Sequence, residues 1–321
     1  MSGTPNEFAL ISKFFGPLAT HPAALSLGDD AALLTPRAGH DLVVTTDALT
    51  EGVHFLPDDP PNFVASKALR VNLSDLAAKG ATPLGYLLAL ALPRHCDSAW
   101  LECFARGLLA DQNTFGVSLL GGDTTATPGP LTLAITALGE VPSGTMIRRN
   151  GARPGDGVYV SGTIGDAGAG LVVLKEGLTV GADVDYLIGR YRQPSPRLKL
   201  GMALRGVASA ALDVSDGLLA DLGHIAEMSE VRIILESEAI PRSLETTRLW
   251  PGLGGIVRAA TAGDDYEIAF TGTSDTAVME AGAKAGVLVA RIGRVEAGQG
   301  VTLLDAKGRE VPVDRPGFTH F

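Results

Sequence analysis

DLVVTTDALTEGVHF, at residues 41–55, decides how the first half of this chain folds. Its apolar run, residues 41–46, predicts a buried strand that delivers Asp47 at its end. The following segment, residues 62–79, has helical periodicity and stops before Gly80, a residue type that commonly ends helices. Strand and helix patterns alternate in this way from one end of the chain to the other. The sequence therefore predicts an α/β protein.

Proline, glycine and arginine are concentrated at residues 142–157, and this segment predicts a domain boundary. A chain of 321 residues is long enough for two ordinary domains. We expect an N-terminal domain at residues 1–145 and a C-terminal mixed α/β domain at residues 146–321.

Charge and composition exclude several classes of protein. The chain carries 26 basic and 36 acidic residues, and it has no run of five lysines or arginines, so we expect no nucleic-acid partner. No stretch of 18 apolar residues predicts a membrane span, and the first residues lack a signal-peptide pattern. Cys96 and Cys103 would lie too far apart on one helix to form a disulfide. We therefore expect a cytoplasmic protein.

The familiar nucleotide-binding signatures are absent. The sequence contains no GxxxxGKS or GxxxxGKT loop, no GxGxxG and no HRD or DFG motif. It does contain 40 glycines and only 5% aromatic residues, a composition typical of close backbone approaches and phosphate-handling loops. Any nucleotide site in this chain must therefore be of another design.

Aspartates next to glycine or small polar residues recur beside the apolar strands. A turn explains any single one of them, but strands of one sheet can bring their ends to one crevice. Several carboxylates in one crevice require cations, and Mg²⁺ is preferred to zinc because no His/Cys cluster exists. Phosphoryl transfer needs such neutralisation. The aspartates are Asp29, Asp30, Asp47, Asp75, Asp123, Asp213, Asp216, Asp264 and Asp265, and the supplementary phosphate donors are Lys67, Arg149, Thr124, Thr125, Gly121 and Gly122.

Eight ordered blocks resemble the thiamine-monophosphate kinase family over nearly the whole chain. The blocks are GDDAALL, TTDALTEGVHF, KALRVNLSDLAAKGATP, GGDTT, RNGARPGD, ALDVSDGLLADL, AGDDYEIAF and GFTHF. The resemblance implies Mg²⁺-dependent, direct in-line transfer from ATP to thiamine monophosphate, which gives thiamine diphosphate and ADP. It also implies a homodimer in which the N-terminal sheets pair into a central barrel. By this resemblance the domain at residues 1–145 holds the metal and ATP site and the dimer contact, and the domain at residues 146–321 completes the ATP and substrate cleft.

The resemblance also implies residue roles, without a protein nucleophile. The positions that match metal ligands are Asp30, Thr45, Thr46, Asp47, Asp75, Asp123, Asp213 and Asp216. The ATP-binding positions are Gly122, Asp123, Arg149 and Ser215, with Arg148 as an alternative to Arg149. The substrate-binding positions are His54, Asp264 and Phe318.

The chain departs from the family pattern at some of these positions. Asp264 replaces a more usual Glu, and Phe318 stands where Trp or Tyr is common.

Two alternative functions stay open at this point. One is another member of the superfamily that acts on a different phosphate or acid substrate, although the first cysteine, Cys96, lies too late for a selenophosphate synthetase. The other is a non-catalytic homologue that binds nucleotide or metal.

Overall fold

The computed structural model describes residues 7–178 and 184–319, which form two compact units. The first unit runs up to Leu76 and includes Thr82–Gly144, and the second comprises Ala77–Ala81 and the chain from Thr145 onward. The predicted α/β class in two domains is confirmed, whereas the predicted roles of the two domains stay predictions. His320 and Phe321, in the block GFTHF, lie outside the described residues.

The first unit is built around a four-stranded mixed sheet in the order β1-β4-β2-β3. Strand β4 is antiparallel to both β1 and β2, and β2 is parallel to β3. A π-helical turn at Ile11–Phe15 and 3₁₀ turns at Gly16–Leu18 and Pro22–Leu27 precede β1. The regular elements are α1 Glu7–Leu10, β1 His40–Thr50, α2 Pro61–Ala78, β2 Thr82–Leu92, α3 Ser98–Phe115, β3 Leu119–Ala126 and β4 Thr132–Pro142.

The helix signals of the first half are confirmed. Helix α2 begins one residue before the predicted segment and ends at Ala78. Helix α3 begins directly after Asp97, whose carboxylate accepts the backbone N–H of Trp100 at 2.9 Å and so caps the helix. It ends at Gly116, whose left-handed backbone suits a glycine.

The predicted position of Asp47 at the end of a strand is wrong. Strand β1 continues to Thr50, because residues 47–50 find partners on β4 and Asp47 itself lies opposite Ile135. Asp123 likewise lies within β3, opposite Ala89 of β2. Strands β1, β2 and β3 run in one direction, because β4 is antiparallel to both β1 and β2 while β2 is parallel to β3, so their carboxyl ends lie at one edge of the sheet. Asp47 and Asp123 lie within their strands and not beyond that edge.

The two faces of this sheet differ in what covers them. On one face, Gln112 of α3 donates to the buried Tyr86 hydroxyl at 3.0 Å. The opposite face, which we call the open face, exposes apolar side chains. Leu42, Val44 and Leu87 are 42, 55 and 38% exposed there. The first unit therefore has one packed face and one open face.

The second unit is built around a six-stranded sheet in the order β10-β7-β9-β5-β8-β6. Among the strand pairs of this sheet, β10–β7 is parallel and the others are antiparallel. Within the described residues of the chain, no helix is long and apolar enough to cross a membrane. A 3₁₀ turn lies at Ser237–Ala239. The regular elements are β5 Gly157–Ser161, α4 Asp166–Glu176, α5 Val184–Arg192, α6 Leu198–Ala203, β6 Ala208–Asp213, α7 Leu218–Ser229, β7 Val231–Glu236, α8 Leu244–Leu249, α9 Gly252–Thr261, β8 Ile268–Gly272, α10 Asp275–Ala285, β9 Val289–Ala297 and β10 Gly300–Leu304.

Candidate active site

A pair of carboxylates, Asp47 and Asp75, lies between β1 and α2 in the first unit. The Thr45 hydroxyl donates a hydrogen bond to the Asp75 carboxylate, and the backbone N–H of Asp47 donates to the Asn72 side-chain oxygen at 3.0 Å. Asn72 is itself fixed, because its amide donates to the Ala68 carbonyl at 2.9 Å. Burial, and then the nearby charge of Asp75, raise the pKa of Asp47 to about 6. A bound cation would relieve this repulsion.

Other predicted metal residues of the first unit lie on the open face. The Thr46 hydroxyl donates to the Ile135 carbonyl and accepts from the Thr136 hydroxyl, both at 3.1 Å. Asp123 lies on the same face as Thr46, because successive strand residues alternate between faces. Asp30 and Asp123 both line a cavity of about 790 Å³ on this face. The sequence run Thr45–Asp47 is therefore split between the two faces of the sheet.

Gly122 is explained by strand packing. A Cβ atom at this position would lie 1.9 Å from the carbonyl oxygen of Leu88 on β2, so only glycine allows β2 and β3 to approach this closely. Its predicted contact with the nucleotide stays a prediction. Gly121 and Thr124 line the same cavity as Asp123.

His54 lies in a turn directly after β1. Its Nδ1 accepts the backbone N–H of Thr50 at 3.0 Å, so the ring proton is carried by Nε2 when the imidazole is neutral. The Lys67 ammonium, which is only 2% exposed, donates to the His54 carbonyl oxygen at 2.7 Å. Lys67 thus stabilises the turn that contains His54, a structural role beside its predicted role as a phosphate donor, which stays a prediction.

The second unit gathers three predicted residues in one loop after β6. Asp213 ends the strand, and Ser215 and Asp216 precede helix α7. One carboxylate oxygen of Asp221 accepts the backbone N–H groups of Ser215, Asp216 and Gly217 at 3.0, 3.0 and 3.1 Å. Burial raises the pKa of Asp221 to about 7, while these N–H groups favour its ionised form.

Two further segments meet this loop through backbone hydrogen bonds. The N–H of Asp264 donates to the Ser215 carbonyl at 2.8 Å, and the N–H of Phe318 donates to the Asp216 carbonyl at 2.9 Å. A Cβ atom at position 317 would lie 2.5 Å from the Asp216 oxygen, so glycine permits this contact. The Phe318 ring is 46% exposed. All five residues predicted in loops of the C-terminal motifs, which are Asp213, Ser215, Asp216, Asp264 and Phe318, therefore lie around one loop.

The segment that carries Asp264 has an unusual backbone. Asp264 and Tyr266 have backbone φ values of 71° and 50°, in the left-handed region that residues other than glycine rarely adopt. The Tyr266 hydroxyl donates to the Asp264 carboxylate at 3.4 Å. Backbone strain of this kind persists where the surrounding structure fixes it, and it is commonly found at functional sites.

A buried ionic network fixes this segment from inside. Asp265, which the sequence analysis grouped with the crevice carboxylates, is 1% exposed and accepts the N–H groups of Gly165 and Ala167 at 2.6 and 3.2 Å. Glu267 is fully buried and accepts hydrogen bonds from Arg190 at 2.8 Å and Arg197 at 2.7 Å. Asp265 therefore caps α4 and does not face a crevice. The neighbouring Asp166 carboxylate accepts hydrogen bonds of 2.5–2.8 Å from the side-chain hydroxyls of four residues, Thr163, Tyr186, Ser243 and Thr246.

Arg148 and Arg149 both have exposed side chains. The Arg148 carbonyl accepts the N–H of Ala211 at 3.0 Å, and the Arg149 carbonyl accepts the Ser229 hydroxyl at 3.1 Å. These bonds place Arg148 beside β6, the strand that ends at Asp213, and Arg149 beside the last residue of α7.

No group of three or more His, Cys, Asp or Glu side chains forms a ready-made metal cage within residues 7–178 and 184–319. The structure instead offers carboxylates singly or in pairs, accompanied by hydroxyl and carbonyl oxygens. Mg²⁺ is commonly bound by one or two carboxylates together with the phosphates of a substrate. This donor set therefore fits Mg²⁺ that arrives with a polyphosphate.

Comparisons with known proteins extend over nearly the whole chain. Residues 28–141 match the family model described as AIR synthase related protein, N-terminal domain, and residues 153–306 match the C-terminal domain model. A thiamine-monophosphate kinase of Caulobacter vibrioides is 47% identical over 98% of this chain and 91% of its own length. The thiamine-monophosphate kinase structure from Stenotrophomonas maltophilia is 43% identical, with a TM-score of 0.81 over 89% of this chain and 91% of that chain. The structure of AaThiL complexed with AMPPCP and TMP is 32% identical, with a TM-score of 0.78 over 98% of this chain and 97% of that chain.

Proposed function

Because the chain belongs to the thiamine-monophosphate kinase family and is an ATP-dependent kinase, we propose that it phosphorylates thiamine monophosphate. The products are thiamine diphosphate and ADP. The single observation of geometry that carries the proposal is the Asp47–Asp75 pair between β1 and α2, in which burial and then the charge of Asp75 raise the pKa of Asp47. A pair of this kind suits an enzyme that brings two polyanions together with the help of cations.

We propose Mg²⁺ as the metal, because the candidate ligands are oxygens throughout. Thr45, Asp47 and Asp75 would hold it on the packed face of the first unit, and Asp30, Thr46 and Asp123 are the donors on the open face. Asp213 and Asp216 are the donors in the second unit. Bound Mg²⁺ would neutralise the phosphate oxygens on which negative charge gathers during transfer.

The proposed transfer is direct. The acceptor is a phosphate oxygen that already carries negative charge, so it needs no general base to remove a proton. The tasks of the protein are then to bind and align the two substrates. Gly122, Ser215 and Arg149 are proposed to contact the nucleotide. His54, Asp264 and Phe318 are proposed to contact thiamine monophosphate, with the half-exposed Phe318 ring against its cationic or pyrimidine ring.

We further propose a homodimer formed through the open face. Leu42, Val44 and Leu87 are exposed apolar side chains on this face of the sheet, and exposed apolar surface is commonly covered by a partner. A dimer formed here would bring Asp30 and Asp123 close to the second copy.

We propose the cytoplasm as the compartment, since Cys96 and Cys103 are free thiols.

An assay of ADP release across a panel of phosphate monoesters tests the proposed substrate. Thiamine monophosphate should stimulate ADP release strongly, whereas thiamine and unrelated monoesters should not, and thiamine diphosphate should appear in equal amount with ADP. A stronger response to another monoester would contradict the proposed substrate. ATP consumption that no monoester changes would favour a homologue without this activity.

Rapid-quench measurement with labelled ATP tests the direct route. Because no protein nucleophile takes part, no phosphorylated protein should accumulate before thiamine monophosphate is added. A phospho-Asp or phospho-His that forms and decays fast enough to account for turnover would replace the direct route with a two-step one.

A further inference from the structure

Three consecutive backbone N–H groups, those of Ser215, Asp216 and Gly217, point at one oxygen of Asp221. The three distances lie between 3.0 and 3.1 Å, and Asp221 is only 4% exposed. Consecutive N–H groups that converge in this way form an anion-binding nest, as in phosphate loops. This nest lies at the start of α7, a helix of 12 residues, where the helix dipole also favours an anion. The protein fills the nest with its own carboxylate.

Filling the nest determines what the loop presents to a ligand. With the N–H groups directed to Asp221, the carbonyls of Ser215 and Asp216 are taken up by the N–H groups of Asp264 and Phe318. The groups left to meet a ligand are then the side chains of the loop, including the carboxylate of Asp216. Such a loop attracts cations, although its sequence position between a strand and a helix is typical of loops that bind phosphate directly.

We propose that Asp221 is a positioning residue that makes this loop selective for a nucleotide polyphosphate carried by a divalent cation. The proposal rests on the proposed function, in which Asp213 and Asp216 are Mg²⁺ donors. Asp221 touches neither metal nor substrate in this account. It neutralises the N–H groups and the helix end that would otherwise attract a polyphosphate without a cation, and it fixes the backbone on which Asp213, Ser215 and Asp216 are mounted.

The test uses Asp221→Ala and Asp221→Asn in the full chain. Calorimetry with AMPPCP, in the presence and absence of Mg²⁺, measures nucleotide affinity without any need for turnover. Asp305→Asn is a matched control, because Asp305 also accepts two backbone N–H groups, those of Lys307 and Arg309 at 2.9 Å, in a turn after β10. Melting temperature is recorded for every variant.

Asp221→Ala should weaken binding of Mg²⁺-AMPPCP by about 10- to 100-fold, the usual effect of removing a group that orients metal ligands. It should weaken metal-free AMPPCP less, so the gain in affinity that Mg²⁺ provides should shrink. Asp221→Asn keeps an acceptor oxygen without the charge, and its effect should be in the same direction but smaller. Asp305→Asn should lower only the melting temperature.

An Asp221→Ala protein that is folded and less stable, but has the same gain in AMPPCP affinity from Mg²⁺ as the wild type, would overturn the proposal. If Asp221→Ala does not fold, Asp221→Asn decides in the same way. The binding experiment is independent of the acceptor, so a wild-type protein that ignores thiamine monophosphate would contradict the proposed substrate while leaving this result interpretable.

Discussion

At the scale of single residues, Asp47 is constrained by both of its neighbours, the Asn72 side chain and the Asp75 charge. Asp47→Asn keeps the size of the side chain and removes the charge that would hold Mg²⁺. We expect turnover to fall by orders of magnitude at saturating Mg²⁺, with the fold retained. Asp41→Asn on the same strand is the control, because Asp41 accepts hydrogen bonds from Ser143 and Gly144 and is not a proposed metal ligand. Turnover of this variant should stay normal.

The raised pKa of Asp47 gives the metal-free protein a defined pH dependence. The pKa is about 6 in the folded state against 3.8 for the ordinary group, so between these values the folded protein keeps a proton that the unfolded chain has released. The free energy of unfolding should therefore fall as the pH rises from about 4 to 6, by up to about 3 kcal/mol. Asp47→Asn should reduce this slope in denaturant titrations with EDTA, and part of the slope should remain because the pKa of Asp221 is also raised. An unchanged slope would contradict the assignment.

Phe318 permits two distinct outcomes. If its ring contacts thiamine monophosphate, Phe318→Ala should raise the KM for that substrate by a few-fold to about 30-fold, from a contact of roughly 0.5–2 kcal/mol. The KM for ATP should hardly change. We expect this result because the ring is 46% exposed while its backbone N–H is already bonded to Asp216. A lower melting temperature with both KM values unchanged would show that the ring only anchors the chain.

At the scale of elements, the segment 263–267 is fixed by the alternation of its side chains. Asp265 and Glu267 are buried in the ionic network, and Asp264 and Tyr266 are less buried. Glu267→Gln should lower the free energy of unfolding by about 3–5 kcal/mol, because the buried Arg190 loses its nearest partner charge and the partly buried Arg197 loses its ion pair. Denaturant unfolding measures this loss.

Glu296→Gln serves as the control for Glu267→Gln. Glu296 forms an ion pair with Arg294 at 2.8 Å, but both side chains are more than 40% exposed, so solvent screens the interaction. A loss of stability of equal size in the two variants would contradict a special role for the buried network.

The helices could be predicted from the sequence better than the functions of individual carboxylates. Asp97 and Gly116 delimit α3 through local chemistry, which a sequence shows directly. Asp47 and Asp123 were expected at strand ends, but the lengths of β1 and β3 depend on partners far away in the chain. Asp221 could not be recognised because its role depends on a loop conformation. The block ALDVSDGLLADL contained the only signal, a carboxylate one turn into a helix.

At the scale of the whole molecule, the open face is the feature that a monomer leaves unexplained. Leu87→Lys places a charge on β2 in the centre of this face, and it should convert the proposed dimer to monomers at micromolar concentration. Leu288→Lys is the matched control, since Leu288 is 84% exposed in the second unit and should not affect assembly. Sedimentation velocity compares the two, and a dimer that survives Leu87→Lys would contradict pairing through this face.

The composition of residues 142–157, where chain-breaking residues accumulate, predicts a boundary between two domains. No sequence pattern predicts that the candidate metal residues of the first unit lie on two faces of one sheet. This arrangement arises because successive strand residues alternate between faces and because α2 packs on the face that carries Thr45 and Asp47. Asn72 and Asp75 of α2 contact that face through tertiary hydrogen bonds. Neighbouring residues such as Thr45 and Thr46 therefore differ in their contacts only in the folded sheet, where they lie on opposite faces.

The left-handed backbone at Asp264 has a consequence for how this protein can evolve. Glycine adopts that conformation without the cost of about 1 kcal/mol or more that aspartate incurs, so a lineage selected only for stability would drift toward glycine there. Such a lineage would lose the carboxylate proposed to meet the substrate. Selection for robustness and selection for turnover thus oppose each other at this one position. The persistence of aspartate would then record which of the two prevailed.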